Sequence, residues 1–275
     1  SSTPNLTYDA NGNLVTQTDT NGTTTYTWDA RNRLVAISGP GVSASFMYDA
    51  LGRRVSKTID GMATQFLYDR NDIVQEIGGG AVGASYLRSL GLDEQFIRQS
   101  ATSEFYHVDG LGSTLTLTGQ NGVVLTAYVY NPFGNTQTSG QPTTSPFQYT
   151  ARENDSTGLY YYRARYYSPA LHRFLSLDPM GRPTASDYAY ANNNPVNYSD
   201  PLGLFTLVIQ GGSPSFGYNG SLQSSSASGV EWIARQLEIS GERVERLNSG
   251  QVQEAIGHAI VASQQGEPVN IVGHS

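Results

Sequence analysis

The chain has 275 residues, with Lys+Arg 16 against Asp+Glu 23 and a formal net charge of −7. That balance excludes a protein that grips nucleic-acid phosphates through a clustered basic face, and no apolar run is long enough for a membrane-spanning helix. With Cys 0, disulfides, thiol nucleophiles and thiolate metal sites are excluded together. Only 14% of residues are charged, while Gly 30 and Tyr 18 point to strands and turns. The opening SSTPNLTYDA carries neither an initiator Met nor a basic-then-apolar leader, so the chain reads as an internal piece of a longer protein.

The first quarter is periodic. Tyr8-Asp9, Trp28-Asp29, Tyr48-Asp49 and Tyr68-Asp69 recur at a constant spacing of 20 residues. Two positions before each aromatic stands Leu6, Tyr26, Phe46 or Phe66, which puts both side chains on one face of a strand. Four positions after it comes Gly12, Asn32, Gly52 or Asp72, residue types that tolerate a left-handed backbone. Leu14-Val15, Leu34-Val35 and Val55 then open a return strand. Each unit predicts a hairpin with a loop of three to four residues, and Asp9, Asp29, Asp49 and Asp69 are its turn formers. No unit holds a second carboxylate at a fixed offset to complete a calcium site, and no metal or cofactor is expected.

The units TYDANGNLV, TWDARNRLV and MYDALGRRV resemble the YD repeats of Rhs proteins, a family that includes bacterial polymorphic toxins, the C components of insecticidal Tc toxins and animal teneurins. The resemblance implies a β-hairpin strip that forms part of a hollow shell.

Strand-like segments continue from about residue 104, as EFYHVDGLGSTLTLT and NGVVLTAYVYNPFGN. Residues 107–204 resemble the Rhs-associated core domain. They hold Tyr-Tyr-Arg-Ala-Arg-Tyr-Tyr, then Arg-Phe-x-Ser-x-Asp-Pro, then Asn-Asn-Pro ending in Asp-Pro-x-Gly-Leu. The resemblance implies self-cleavage of the bond after the last Leu, here Leu204–Phe205. It carries the essential carboxylates to Asp178 and Asp200, and a supporting Arg to Arg165 or Arg163. Phe205 offers no side-chain nucleophile, so a water attack driven by a carboxylate pair of the aspartic-protease type fits the residues present. His172, in place of the Gly of many relatives, reads as a surface turn residue.

After Leu204 the composition changes. FTLVIQGG reads as a buried strand entering a Gly-rich turn, and Val230, Ile233, Ala234 and Leu237 make an amphipathic helix. A short RVERL strand, a second helix from about Ser249 and a final VNIVGHS strand follow, an order that predicts the start of a parallel α/β sheet. Gly273-His274-Ser275 resembles the first part of an α/β-hydrolase nucleophile elbow, with Ser275 as nucleophile and Gly211-Gly212 as a source of oxyanion donors. His258 falls mid-helix and His274 adjoins the Ser, so the acid and base of a triad would lie beyond residue 275.

The expected fold is therefore mainly β: a repeat strip over 1–103, a core over 104–204 ending in DPLGL, and a truncated lipase- or esterase-like effector over 205–275. By resemblance, the partners are the cleaved effector held in the shell, secretion-system components and an immunity protein, without nucleic acid or a membrane span, in a secreted or cell-surface setting. The rival reading is a non-enzymatic surface protein that uses its aromatic rings for adhesion or carbohydrate binding.

Overall fold

A computed structural model describes residues 3–89, 93–179 and 187–204, together with the short strands at 246–247 and 272–273. The fold is nearly all antiparallel β. The first seven strands are β1 (Asn5–Tyr8), β2 (Leu14–Asp19), β3 (Gly22–Trp28), β4 (Leu34–Gly39), β5 (Val42–Tyr48), β6 (Arg54–Ile59) and β7 (Met62–Asp69). The next seven are β8 (Asp72–Gly78), β9 (Ala81–Arg88), β10 (Gln95–Gln99), β11 (Ser103–Val108), β12 (Thr114–Thr118), β13 (Val124–Tyr130) and β14 (Thr136–Gly140). They lie side by side in chain order as one 14-stranded meander, which runs without a break across residues 103 and 104.

The turn aspartates shape the hairpins as their position dictates. Asp9 Oδ1 accepts the Asn11 and Asn13 amides at 2.9 and 2.8 Å, and Asp29 Oδ1 accepts those of Arg31 and Arg33 at 2.9 and 3.0 Å. Asp49 Oδ1 accepts the Arg53 amide at 2.9 Å. Asn32 adopts φ 58 in the loop, and the register slips by one residue at Tyr8, Trp28 and Tyr48 as the bulge is absorbed. The same loop returns at Asp109, two periods of 20 after Asp69, and at Asn131, which lies off that register. The fourth unit departs from the expected loop. Asp69 stays in the strand and pairs with Asp72, leaving a two-residue turn in which Arg70 takes φ 53. One residue fewer in the loop permits this tighter connection.

A lateral hydrogen bond explains the aromatic of the pair. Trp28 Nε1 donates to the Leu14 carbonyl at 2.7 Å, Tyr48 Oη to Leu34 at 2.6 Å and Tyr68 Oη to Arg54 at 2.9 Å. Each hairpin is thus stapled to the one before it, and Trp replaces Tyr because both rings carry a donor at the tip. At the next period Arg88 takes the role, its Nε donating to the Ile73 carbonyl at 2.8 Å.

The inward face of the strip carries a row of rings: Tyr26, Phe46, Phe66, Tyr86, Tyr106 and Tyr128, all buried at 3–9% exposure. Such burial denies these rings to a sugar. Over this face lies a second, four-stranded sheet, β15 (Glu153–Asn154), β16 (Tyr160–Tyr162), β17 (Arg165–Ser168) and β18 (Arg173–Phe174). Leu159, Tyr161, Tyr166 and Leu175 join the Leu14, Leu34 and Phe46 core. Tyr160, Tyr162, Tyr167, Phe174 and Tyr190 form an aromatic cluster of their own with Tyr149. The two larger sheets belong to one compact unit. In the other, β19 (Arg246–Leu247) pairs parallel with β20 (Val272–Gly273), where the sequence predicts two parallel strands. The two expected helices lie outside the described residues. Among the described residues, no helix is long and apolar enough to cross a membrane.

Candidate active site

The site is built by a hairpin turn gripping another turn. Strands β16 and β17 are joined through Arg163 and Ala164, with Tyr162 paired across to Arg165. This tripeptide holds four successive carbonyls of the Asp-Pro-x-Gly-Leu segment. Arg163 Nη1 donates to Pro201 O at 2.6 Å, and the Ala164 amide to Leu202 O at 3.2 Å. Arg165 Nε donates to Gly203 O at 2.5 Å, and its Nη2 to Leu204 O at 2.6 Å. Gly203 adopts φ 63, and a Cβ there would lie 2.3 Å from the Tyr162 carbonyl oxygen, so the close approach requires glycine.

Arg165 also joins the two sequence-predicted carboxylates. Its Nη2 donates to Asp178 Oδ2 at 3.0 Å and to Asp200 Oδ2 at 3.3 Å, while its Nη1 donates to the Asp187 carbonyl at 3.0 Å. The guanidinium carbon sits 3.7 Å from the Phe174 ring centroid. Arg165 is 1% exposed, Asp178 5% and Asp200 0%. Both side chains accept from one cationic nitrogen, so the arginine holds the two acidic groups together in a water-poor place. Asp200 Oδ1 accepts the Leu204 amide at 3.1 Å, which fixes the turn from its other side.

Asp178, Asp200, Arg165 and Leu204 therefore converge on one point. Arg163 turns away from the carboxylates and, besides Pro201, pairs with Asp93 and Asp72. His172 is exposed in a left-handed turn (φ 56) and stacks on Phe133 with centroids 4.1 Å apart. Phe205, Gly211, Gly212, His258, His274 and Ser275 lie outside the described residues. Among the described residues, no group of three or more His, Asp and Glu side chains is placed to hold a metal ion.

Sequence reasoning missed the charges that tie this region to the strip. Arg54, 0% exposed, donates from Nη2 to Glu153 Oε2 at 2.5 Å and to Asp155 Oδ1 at 3.0 Å. Its Nη1 pairs with Asp155 Oδ2 and donates to Tyr166 Oη at 3.1 Å. Burial opposes the charge on Arg54, but Asp155 and Glu153 raise its pKa well above the usual arginine value. The available signal was Arg54 itself, a charge where Leu14 and Leu34 stand in the preceding units.

The family described as RHS Repeat matches residues 8–41. That stretch of the chain carries an RHS repeat. A tRNA3(Ser)-specific nuclease, WapA of Bacillus spizizenii, is 35% identical over 141 residues, 47% of this chain and 6% of that protein. The toxin protein Tse5 of Pseudomonas aeruginosa is 35% identical over 107 residues, 38% of this chain and 8% of that protein. The fold is shared with the solved TcdB2–TccC3 structure, at a TM-score of 0.54 and 20% identity over 73% of this chain and 14% of that one. The chain thus spans under a tenth of the length of the two relatives named.

Proposed function

We propose that this chain is the C-terminal portion of a polymorphic Rhs toxin, and that its core cuts its own backbone between Leu204 and Phe205. One observation supports this above all: Arg165 Nη2 reaches Asp178, Asp200 and the Leu204 carbonyl oxygen together. One carboxylate takes a proton from water, whose oxygen bonds to the Leu204 carbonyl carbon. The oxyanion that develops is met by the Arg165 guanidinium, which already lies against that oxygen. The C–N bond then breaks as the other aspartate, which enters the reaction holding the one proton the pair shares, delivers it to the Phe205 nitrogen. The products are a Leu204 carboxylate and a free Phe205 amine.

The released segment is read as the start of an α/β effector of lipase or esterase type, with Ser275 as its nucleophile. The parallel pairing of β19 and β20 supports the α/β part of that reading. The partners follow: the shell holding its own effector, a secretion system and an immunity protein, outside the producing cell. The names of the toxin relatives support this setting. The test is intact mass and N-terminal sequencing of the purified chain with time. A fragment beginning at Phe205, absent in Asp178→Asn and Asp200→Asn, is the expected outcome. A single uncut species at every time, with upstream repeats included, would overturn the reading.

A further inference from the structure

A second charged cluster lies beside the Arg165 site and reaches the same turn from the strip. Arg163 is its hub, held at φ 57 in the β16–β17 turn. Its Nη1 donates to Pro201 O at 2.6 Å and to Asp93 Oδ2 at 3.1 Å, and its Nη2 donates to Asp93 Oδ1 at 2.7 Å and to Asp72 Oδ1 at 3.0 Å. Arg152 supplies a second guanidinium, which pairs with Asp93 and donates to Pro201 O at 3.3 Å. Asp72 opens β8 and Asp93 lies between β9 and β10, so both carboxylates belong to the repeat strip.

The consequence is geometric. Pro201 directly follows Asp200, and its carbonyl is fixed by two guanidinium groups that Asp93 holds. A planar guanidinium paired at two nitrogens with one carboxylate has a fixed direction, whereas an unpaired one explores many rotamers. We propose that Asp93 is a positioning residue for self-cleavage: through Arg163 it sets the Pro201 carbonyl, and so aligns Asp200 and the Leu204–Phe205 bond with Arg165. The inference rests on the self-cleavage reading and adds that the strip licenses the cut. A core made without its hairpins lacks Asp72 and Asp93, and it does not cut at the native rate. This couples release of the downstream segment to completion of the sheet.

The experiment uses the full chain and two readouts. Asp93→Asn keeps the side-chain shape but removes the charge, and it is expected to slow cleavage by about 10- to 100-fold, the cost of a misplacement near 1 Å. Asp93→Glu, which keeps the charge, recovers most of the rate. Hydrogen exchange supplies the second readout: Asp93→Asn exposes the Gly203 and Leu204 amides while the Asn13 and Arg33 turn amides keep their protection. A merely structural ion pair would loosen both sets alike, and that pattern overturns the proposal. If the native chain cuts, Asp200→Asn does not and Asp93→Asn cuts at the native rate, the positioning role is overturned and self-cleavage stands. If neither the native chain nor Asp200→Asn cuts, the self-cleavage reading fails, and with it the role of Asp93 in the reaction. The exchange data then report the clamp alone.

Discussion

Arg54 stands in the third hairpin where Leu34 stands in the second. Leu34 pairs across the strand with Trp28 and Arg54 with Tyr48, and each is 0% exposed. A guanidinium at a leucine position is tolerated because Glu153 of the second sheet and Asp155 just after β15 face it, and the Tyr161 ring centroid lies 4.1 Å from its carbon. Removing one partner of such a buried pair leaves the others uncompensated, at a cost of about 3–5 kcal/mol. Arg54→Met is therefore expected to lower the unfolding free energy in urea by about that amount. A loss below about 1 kcal/mol, the scale of an exposed pair, would show that this cluster does not bind the sheets.

Acid should weaken the same contacts. Burial alone would raise the Asp155 carboxyl, but Arg54 and Lys57 overcome it and hold its pKa below the ordinary 3.8. Asp93 is likewise pushed up by burial and brought below 3.8 by Arg152 and Arg163. The unfolded chain therefore takes up these protons at a higher pH than the folded one. The stability they contribute is whole above the unfolded value and is lost as pH falls through the lower folded values. The urea midpoint is expected to be nearly flat around pH 6 and to drop towards about pH 3, more shallowly in Asp155→Asn. Equal slopes for the two proteins would remove Asp155 from this account.

The staple between hairpins predicts a small, specific loss. Tyr68→Phe keeps the packed ring and deletes only the hydroxyl that donates to Arg54 O at 2.9 Å. The expected change is about 1 kcal/mol of unfolding free energy, the usual net worth of one hydrogen bond. Trp28→Phe should cost at least as much, whereas Trp28→Tyr keeps a donor and costs less. Urea unfolding of the three variants checks that order, and a Trp28→Tyr loss equal to that of Trp28→Phe would count against the staple.

Gly203→Ala tests the grip on the turn. The added methyl would lie 2.3 Å from the Tyr162 carbonyl oxygen at φ 63, and a strand carbonyl cannot yield as a flexible side chain can. The segment must lift away from Arg163, Ala164 and Arg165, and self-cleavage is expected to fall by about 100-fold or more. The strip keeps its circular dichroism. Native-rate cleavage in this variant would mean that the four held carbonyls do not align the bond.

Much of the architecture was legible in local spacing. A period of 20 with aspartate at the turn dictates hairpins, because a turn and its two strands are made by neighbours along the chain. The same logic failed at Asp69, where one fewer loop residue changed the turn, and it stopped short of Asp109, on the period but two units on, and of Asn131, whose loop lies off it. Asp178, Asp200 and Leu204 could be singled out through the resemblance of their motifs to the Rhs-associated core. Their meeting on one nitrogen of Arg165 could not, because partner choice depends on the register of β16 with β17 and on the packing of the second sheet over the strip.

The division between Arg163 and Arg165 shows the limit most plainly. Two residues apart at a tight turn, they are equivalent to a motif, yet one meets Asp178 and Asp200 and the other meets Asp72 and Asp93. Sequence alone determined the hairpins, since these follow from short-range backbone preference and residue type. The tertiary structure decided which charge faces which, since buried charges settle only where a partner from a distant strand is brought within hydrogen-bond reach.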